Sequence, residues 1–204
     1  EESGKGYSTP PKIKIEGGLH FIRCAESDSP AEGKFYLIQS NTGDTITLAN
    51  PLGDDLSQVF KDESLVEIFE AWTIGSLFGY ESTFLNEGNS SVADYVYLLK
   101  PPSQQDGTSS DYHPYFHDGV SWKEVGGSGL DVSETVIYPD ESFMVARRGN
   151  TPLDIVLSGT VLTQNTFFKI PQQGKRLLMN NPFGVDIMLS DLISSENIDD
   201  NVSN

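Results

Sequence analysis

Cysteine is almost absent from this chain of 204 residues, and long hydrophobic runs are absent too. Cys24 stands alone, which excludes an intrachain disulfide and a cysteine-rich metal site. No stretch approaches the roughly 18 consecutive apolar residues that a membrane-spanning helix needs. A chain of this length can still bury a substantial hydrophobic core without covalent cross-links. Packing and hydrogen bonding must therefore hold the fold together.

Positive charge is scarce as well. The chain has 13 Lys and Arg against 30 Asp and Glu, which gives a formal net charge of -17. This balance repels the phosphate backbone of nucleic acids and the surface of anionic membranes. We therefore expect neither nucleic acid nor a membrane as a partner. We also expect any self-association to depend on salt or divalent cations, because both screen like charges.

Short β-branched and aromatic runs, each closed by Gly, Asn, Asp or Pro, fill most of the chain. Such runs, separated by frequent turn signals, are typical of strands in an antiparallel sandwich or jelly roll. Asp118-Gly119 predicts a type I′ hairpin between the strands 112–117 and 120–125, and 153–157 predicts another strand. Asp54 or Asp55, and Thr73, are predicted to cap two short helices. The predicted fold is an all-β, antiparallel β-sandwich or jelly-roll-like domain with two or three single-turn helices.

The two ends of the chain differ from its middle. Residues 1–11 are rich in Ser, Gly, Thr and Pro, so we predict an extended or flexible amino-terminal arm. Residues 12–195 carry the strand pattern and are predicted to form a single β-sandwich domain. Residues 196–204 are predicted to form an acidic tail. The first residue is not Met, and Gly, Thr, Ser and Asn are abundant with few Lys, so we expect an exported bacterial protein located outside the cell or on its surface.

The ionisable residues form no pattern that is typical of a catalytic or metal site. His20 and Cys24 would lie roughly 13 Å apart along a strand, too far for a hydrogen-bonded pair, so we expect a buried cysteine. His113 and His117 have the spacing of helical zinc ligands, but the proline between them and the aromatic neighbours predict a strand. The glycine-rich segment 126–130 does not match a nucleophile elbow. We predict no catalytic residues, no metal site and no enzymatic activity. A hydrolase without a recognisable motif ranks third among the possible functions, after a structural role and a binding module.

Oxygen ligands for calcium occur only in a generic form. Asp54-Asp55 and Asp199-Asp200 supply carboxylates, but neither pair lies in an acidic loop with the usual calcium-binding spacing. No cofactor is therefore predicted, and calcium remains a generic possibility.

Aromatic residues cluster on the predicted hairpin. If their side chains are exposed on one face, they would form a stacking platform for sugar rings or for a protein partner. If they are buried, they belong to the hydrophobic core. The sequence leaves both alternatives open for four residues: Tyr112, Tyr115, Phe116 and Trp122.

From Gly33 onward, turn and strand motifs follow one another in a distinctive order along about four fifths of the chain. They include Gly33-Lys34-Phe35-Tyr36, Trp72-Thr73-Ile74-Gly75-Ser76-Leu77-Phe78-Gly79, Trp122-Lys123-Glu124-Val125-Gly126-Gly127, Tyr138-Pro139-Asp140-Glu141-Ser142-Phe143 and Leu157-Ser158-Gly159-Thr160-Val161. In this collinear order the segments resemble an uncharacterised paralogous family of exported proteins first noted in Verrucomicrobium spinosum. The resemblance implies export but no activity and no catalytic residues.

Two functions are compatible with this sequence. The first is a structural role, as a secreted β-rich subunit that assembles with copies of itself into an extracellular filament or surface layer. Lys12, Ile13, Lys14 and Ile15 alternate polar and apolar side chains and would add as a strand to the sheet edge of a neighbouring copy. The alternative is a module that binds carbohydrate, such as a polysaccharide, or a protein partner through the aromatic hairpin.

Overall fold

A computed structural model describes residues 15, 17–27, 29–51, 53–101, 104–108, 111–156, 166–168, 171–181, 186 and 188. Within these ranges the chain forms ten strands and two short helices. The strands are β1 His20–Cys24, β2 Phe35–Asn41, β3 Ile46–Leu48, β4 Val66–Glu70, β5 Trp72–Thr73, β6 Tyr95–Leu99, β7 Tyr112–His117, β8 Trp122–Glu124, β9 Val136–Ile137 and β10 Phe143–Ala146. The helices are α1 Leu56–Val59 and α2 Ile74–Phe78.

The first sheet has four antiparallel strands in the order β3-β2-β1-β4. Its central strand β1 is buried on both faces, because alternate side chains point to opposite sides of a strand. One face packs under α1 and forms a core of buried residues: Ile22, Cys24, Ala31, Tyr36, Ile38 and Val59. Phe21 lies on the opposite face, where its ring packs against Phe35 and Phe69.

The second sheet also has four antiparallel strands, in the order β10-β6-β7-β8. Its inner face packs against α2 and β9 around Trp122, whose side chain is fully buried. The Trp122 indole N–H donates to the Gly79 carbonyl oxygen at 2.7 Å, so its one polar group is satisfied. This second core consists of Ile74, Phe78, Leu85, Val96, Leu98, Tyr115, Trp122 and Ile137.

Both helices begin at the residues that the sequence indicates. Asp55 caps α1 by accepting from the Ser57 backbone N–H, and Thr73 caps α2 by accepting from the Ser76 N–H. The Ser76 hydroxyl in turn accepts from the Thr73 N–H, which completes a capping box. Because α1 and α2 have only four and five residues, tertiary packing rather than helix propensity must stabilise them.

A short pairing of β5 with β9 completes the strand arrangement. The two four-stranded sheets are linked where Tyr138, directly after β9, places its ring 5.3 Å from that of Phe21. Antiparallel sheets with two single-turn helices confirm the predicted all-β sandwich class. Neither helix in the described ranges has the length and apolar character needed to cross a membrane.

The β7–β8 hairpin is present, but its turn lies one residue further along than the predicted one. The Asp118 N–H donates to the Ser121 carbonyl at 3.1 Å, so Gly119 and Val120 are the central residues. Only Gly119 has a positive φ, of 99°, as a type II′ turn requires; a type I′ turn needs two such residues. The Asp118 carboxylate accepts from the Val120 and Ser121 N–H groups, which explains the shift.

Candidate functional site

The second sheet has an aromatic outer face opposite its buried core. In β6, Val96 and Leu98 point into the core, so the alternation places Tyr95 and Tyr97 on the other side. The register then sets their neighbours on the adjacent strands. We call the resulting surface the aromatic face; its residues are Tyr95, Tyr97, Leu99, Tyr112, Pro114, Phe116, Lys123, Met144 and Ala146.

Three rings form the centre of the aromatic face. The ring centroid of Tyr95 lies 5.9 Å from that of Tyr97 and 6.3 Å from that of Phe116. Tyr97 and Phe116 are half-buried, and Met144 beside them is 41% exposed. Tyr95 is buried, and its hydroxyl donates to the Ser90 carbonyl oxygen. The result is an apolar, partly accessible surface in the middle of a sheet, of the kind that marks binding sites.

Arg148 covers one end of the aromatic face. Its Cζ lies 4.3 Å from the centroid of the Tyr95 ring, within the range of a cation–π interaction. Its Nη1 donates to the Ser90 carbonyl oxygen at 2.8 Å, the same atom that accepts from Tyr95. Ser90 therefore fixes both the ring and the guanidinium above it.

Asp94 anchors this end of the sheet from inside. Its carboxylate is fully buried and accepts from the Arg148 N–H at 2.6 Å, the Asn86 N–H at 2.9 Å and Arg147 Nε at 2.8 Å. Burial opposes ionisation of Asp94, but three backbone N–H donors, those of Arg148, Asn86 and Gly149, and the charge of Arg147 outweigh it and lower the pKa of the carboxyl. The ionised Asp94 thus ties the start of β6 to the segment after β10.

The four hairpin aromatic residues named from the sequence do not share one face. Tyr115 and Trp122 point inward and are buried in the second core, so for them the core alternative holds. Tyr112 and Phe116 are half-buried on the aromatic face. The division follows from strand geometry, because odd and even positions of β7 lie on opposite sides and Trp122 pairs with His117.

Sequence reasoning missed the residues of β6 and β10 that complete the aromatic face. The alternation of Tyr95 and Tyr97 with Val96 and Leu98 is visible in the sequence and indicates one aromatic and one aliphatic side of a strand. Met144 and Arg148 carried no such signal, because only strand pairing brings β10 beside β6.

His113, His117 and Cys24 all make contacts within the fold. Cys24 is fully buried in the first core, as predicted. His117 is also buried; its Nδ1 accepts from the Gly119 N–H and its Nε2 contacts the Tyr80 carbonyl oxygen at 3.0 Å, which assigns the proton to Nε2. His113 Nδ1 lies 2.5 Å from Glu124 Oε1. In the described ranges no three His, Cys, Asp or Glu side chains are grouped closely enough to hold a metal ion.

The first of the two acidic pairs considered for calcium is engaged in bonds within the fold. Asp54 accepts from the Tyr36 hydroxyl at 2.7 Å and lies 3.5 Å from the Lys34 ammonium. Asp55 caps α1. Asp199 and Asp200 lie outside the described residues.

A small cavity opens beside Leu99 at the far end of β6 from Arg148. Burial raises the pKa of Glu141, which lines this cavity, to about 7, a value suited to proton transfer near neutral pH. Of the cavity-lining residues that the structure describes, Glu141 alone is acidic, whereas glycoside hydrolysis needs two carboxyl groups. The cavity therefore offers a titrating group without the partner that this hydrolytic chemistry requires.

The predicted self-association strand lies mostly beyond the part of the chain that the structure describes. Lys12, Ile13 and Lys14 are outside the described residues. Ile15 is half-buried and packs against the first core of its own chain.

Comparison with known proteins adds no relative. No family model matches the chain, and no curated protein and no solved structure matches it. The aromatic face and its anchor are therefore the observations from which a function must be argued.

Proposed function

We propose that this protein is a carbohydrate-binding module and that the aromatic face holds the sugar rings of a polysaccharide. The observation that carries the proposal is the pair of half-buried rings of Tyr97 and Phe116 on the outer face of a hydrogen-bonded sheet, with the buried Tyr95 ring beside them at centroid distances of 5.9 Å and 6.3 Å. Tyrosine and phenylalanine rings offer an apolar surface to the C–H side of a sugar, and a tyrosine hydroxyl offers a hydrogen bond at its edge.

The sheet makes this surface rigid before any ligand arrives. β6 is paired on both sides, with β10 and with β7, so the rings stand on backbone that is hydrogen-bonded in both directions. A preorganised surface loses little conformational freedom on binding, which favours affinity from a small contact area.

Glycan-array screening of the full chain, followed by isothermal titration calorimetry, tests the proposal. We expect saturable polysaccharide binding that Tyr97→Ala and Phe116→Ala each weaken at least tenfold. Trp72→Ala is the control, because Trp72 is an aromatic residue that is more exposed than Tyr97 and Phe116 and lies on a different sheet. Absence of saturable binding across the array, or an equal loss in the control, would refute the proposal.

A structural role by self-assembly is a second proposal, and the open edges of the sheets favour it. In the described residues β4 and β10 each pair with a strand on one side only, and beside β4 Leu65 is 63% exposed. Such edges accept an added strand from another copy. In that proposal residues 12–15, of which Ile15 packs on the first core of its own chain, are released and supply the strand, and export to the cell surface is part of the same proposal.

Deleting residues 1–15 and imaging the protein by electron microscopy tests self-assembly. We expect the intact chain to form filaments or layers and the deletion variant to remain dispersed. Identical assemblies from both proteins would remove the arm from the proposal, and a monomeric intact chain at all salt and calcium concentrations would refute it.

A further inference from the structure

The charge of the aromatic face is opposite in sign to that of the whole protein. The chain carries a formal charge of -17, yet none of the nine residues of the aromatic face is an Asp or a Glu. Acidic side chains near this sheet lie elsewhere: Glu124 on the inner side, Asp118 in the turn and Asp94 buried beneath Arg148. Asp118 lies 3.9 Å from the ammonium of Lys123, so Arg148 is the charge at the border of the face for which the described residues supply no carboxylate in an ion pair.

Arg148 is the cation best placed to contact a ligand on the aromatic face. It is exposed, and Ser90 engages one of the five N–H donors of its guanidinium. The carboxylate of Asp94 does not neutralise the charge of Arg148, because it already forms an ion pair with Arg147, whose Nε lies 2.8 Å from Oδ2 of Asp94. Asp94 instead accepts from the backbone N–H of Arg148 at 2.6 Å and so fixes the base of its side chain.

Lys123 lies at the opposite border of the central rings, where it pairs with Phe116 across β7 and β8. Asp118 lies 3.9 Å from its ammonium and compensates part of its charge. The strands β6 and β7, with their rings, lie between Arg148 and Lys123, and adjacent strands are about 4.8 Å apart. The two cations therefore stand on opposite sides of the central rings. Arg148 thus carries the charge at this surface that no carboxylate of the described chain compensates.

We propose that the ligand is an acidic polysaccharide and that Arg148 determines this specificity by binding the carboxylate of a uronic acid. This inference rests on the proposed carbohydrate-binding function and extends it. A guanidinium presents parallel N–H donors that match the two oxygens of a carboxylate, while the adjacent Tyr95 ring holds the guanidinium plane in place. The net charge of -17 does not prevent this contact, since charges beyond about 8 Å are largely screened at physiological ionic strength.

The test uses the full chain and three uronic-acid polysaccharides, namely polygalacturonate, alginate and hyaluronan, each beside its carboxyl-reduced form. Titration calorimetry in 150 mM salt compares the wild type with Arg148→Gln, Arg148→Lys and Tyr97→Ala. We expect at least one acidic polysaccharide to bind about ten- to a hundredfold more tightly than its reduced form, as a charge-assisted hydrogen bond implies. Arg148→Gln should remove this preference, and Arg148→Lys should restore part of it. Tyr97→Ala should weaken both forms.

The outcomes separate the two proposals. Equal binding of the acidic and reduced forms, with loss in Tyr97→Ala, overturns the role of Arg148 and leaves the carbohydrate-binding proposal standing. A preference for the acidic form that persists in Arg148→Gln also overturns that role. Binding of none of the six polysaccharides overturns the acidic ligand; if the wider glycan array is also negative, the carbohydrate-binding function fails with it. Circular dichroism of each variant confirms that the fold is retained, since Arg148 and Tyr97 lie outside both cores.

Discussion

Each of the two sheets carries an arginine over an aromatic ring, and the two pairs differ in what surrounds them. In the first sheet Arg23 is 6% exposed, lies 5.9 Å from the Phe69 ring centroid and forms an ion pair with Glu67 on the adjacent strand. In the second sheet Arg148 is exposed and lies 4.3 Å from the Tyr95 ring centroid. No carboxylate of the described residues forms an ion pair with its guanidinium. The arginine that forms an ion pair with a carboxylate, Arg23, therefore has a structural role. The arginine that forms none, Arg148, keeps its guanidinium accessible.

Position along the strands explains this difference. Arg23 lies within β1 and faces Glu67 directly in the register with β4, so an internal partner is built into the sheet. Arg148 follows the end of β10, where the ladder has stopped and solvent reaches the side chain. The contrast between an internal and a terminal arginine gives three experiments, ordered by the size of the expected effect.

Asp94→Ala should give the largest effect, a loss of about 3–5 kcal/mol in the free energy of unfolding. The substitution leaves the Arg147 guanidinium and the N–H groups of Asn86 and Arg148 without their buried acceptor. Urea denaturation measures the loss. Asp118→Ala is the matched control, because Asp118 also accepts two backbone N–H bonds but is exposed, so its loss should be about 1 kcal/mol. Equal losses would show that Asp94 is not a buried anchor.

Arg23→Ala and Arg148→Ala compare the two arginines directly. Removing Arg23 should destabilise the fold by about 2 kcal/mol, because Glu67 loses its partner and a buried side chain is truncated. Removing Arg148 should cost less than about 0.5 kcal/mol, as is usual for an exposed residue. Both values come from urea denaturation under the same conditions. A larger loss for Arg148 than for Arg23 would reverse the assignment of structural and ligand-binding roles.

Glu141 supplies a third case, a partly buried carboxyl group with which no arginine or lysine of the described residues forms an ion pair. Burial raises its pKa from 4.5 to about 7, so the folded protein keeps a proton that the unfolded chain has lost between these values. The free energy of unfolding should therefore fall as pH rises from about 4.5 to about 7, by about 1–2 kcal/mol for a group that is only partly buried. Glu141→Gln should flatten this dependence in thermal unfolding between pH 4.5 and pH 8. The exposed Glu134→Gln should leave it intact. If the free energy of unfolding falls with pH as steeply in Glu141→Gln as in the wild type, another residue causes the pH dependence.

Local signals in the sequence predicted local structure well. The caps Asp55 and Thr73 began short helices as expected, because a side-chain acceptor before an apolar run satisfies the first N–H groups of a helix. The hairpin turn was shifted by one residue because the Asp118 side chain, not only its backbone, shapes the turn.

Long-range pairing could not be predicted from the sequence. The run at 153–157 alternates like a strand, yet its described part has no strand partner and Val156 is 91% exposed. The same limitation hid half of the aromatic face, because the sequence shows the Tyr95 and Tyr97 alternation but not that β10 lies beside β6. Asp94 carried no signal either, since its partners Arg147 and Arg148 lie more than fifty residues away along the chain.

The interior position of β6 has a consequence for selectivity among polymers. Tyr97 lies on this strand, which is paired on both sides, and Phe116 lies on the neighbouring strand β7, so the spacing of the two accessible rings is set by the backbone. The rise of about 3.4 Å per residue and the separation of about 4.8 Å between neighbouring strands fix that spacing. Under the proposed carbohydrate-binding function, a stiff glycan whose repeat matches it binds without bending, whereas a flexible one must lose its own conformational freedom to fit.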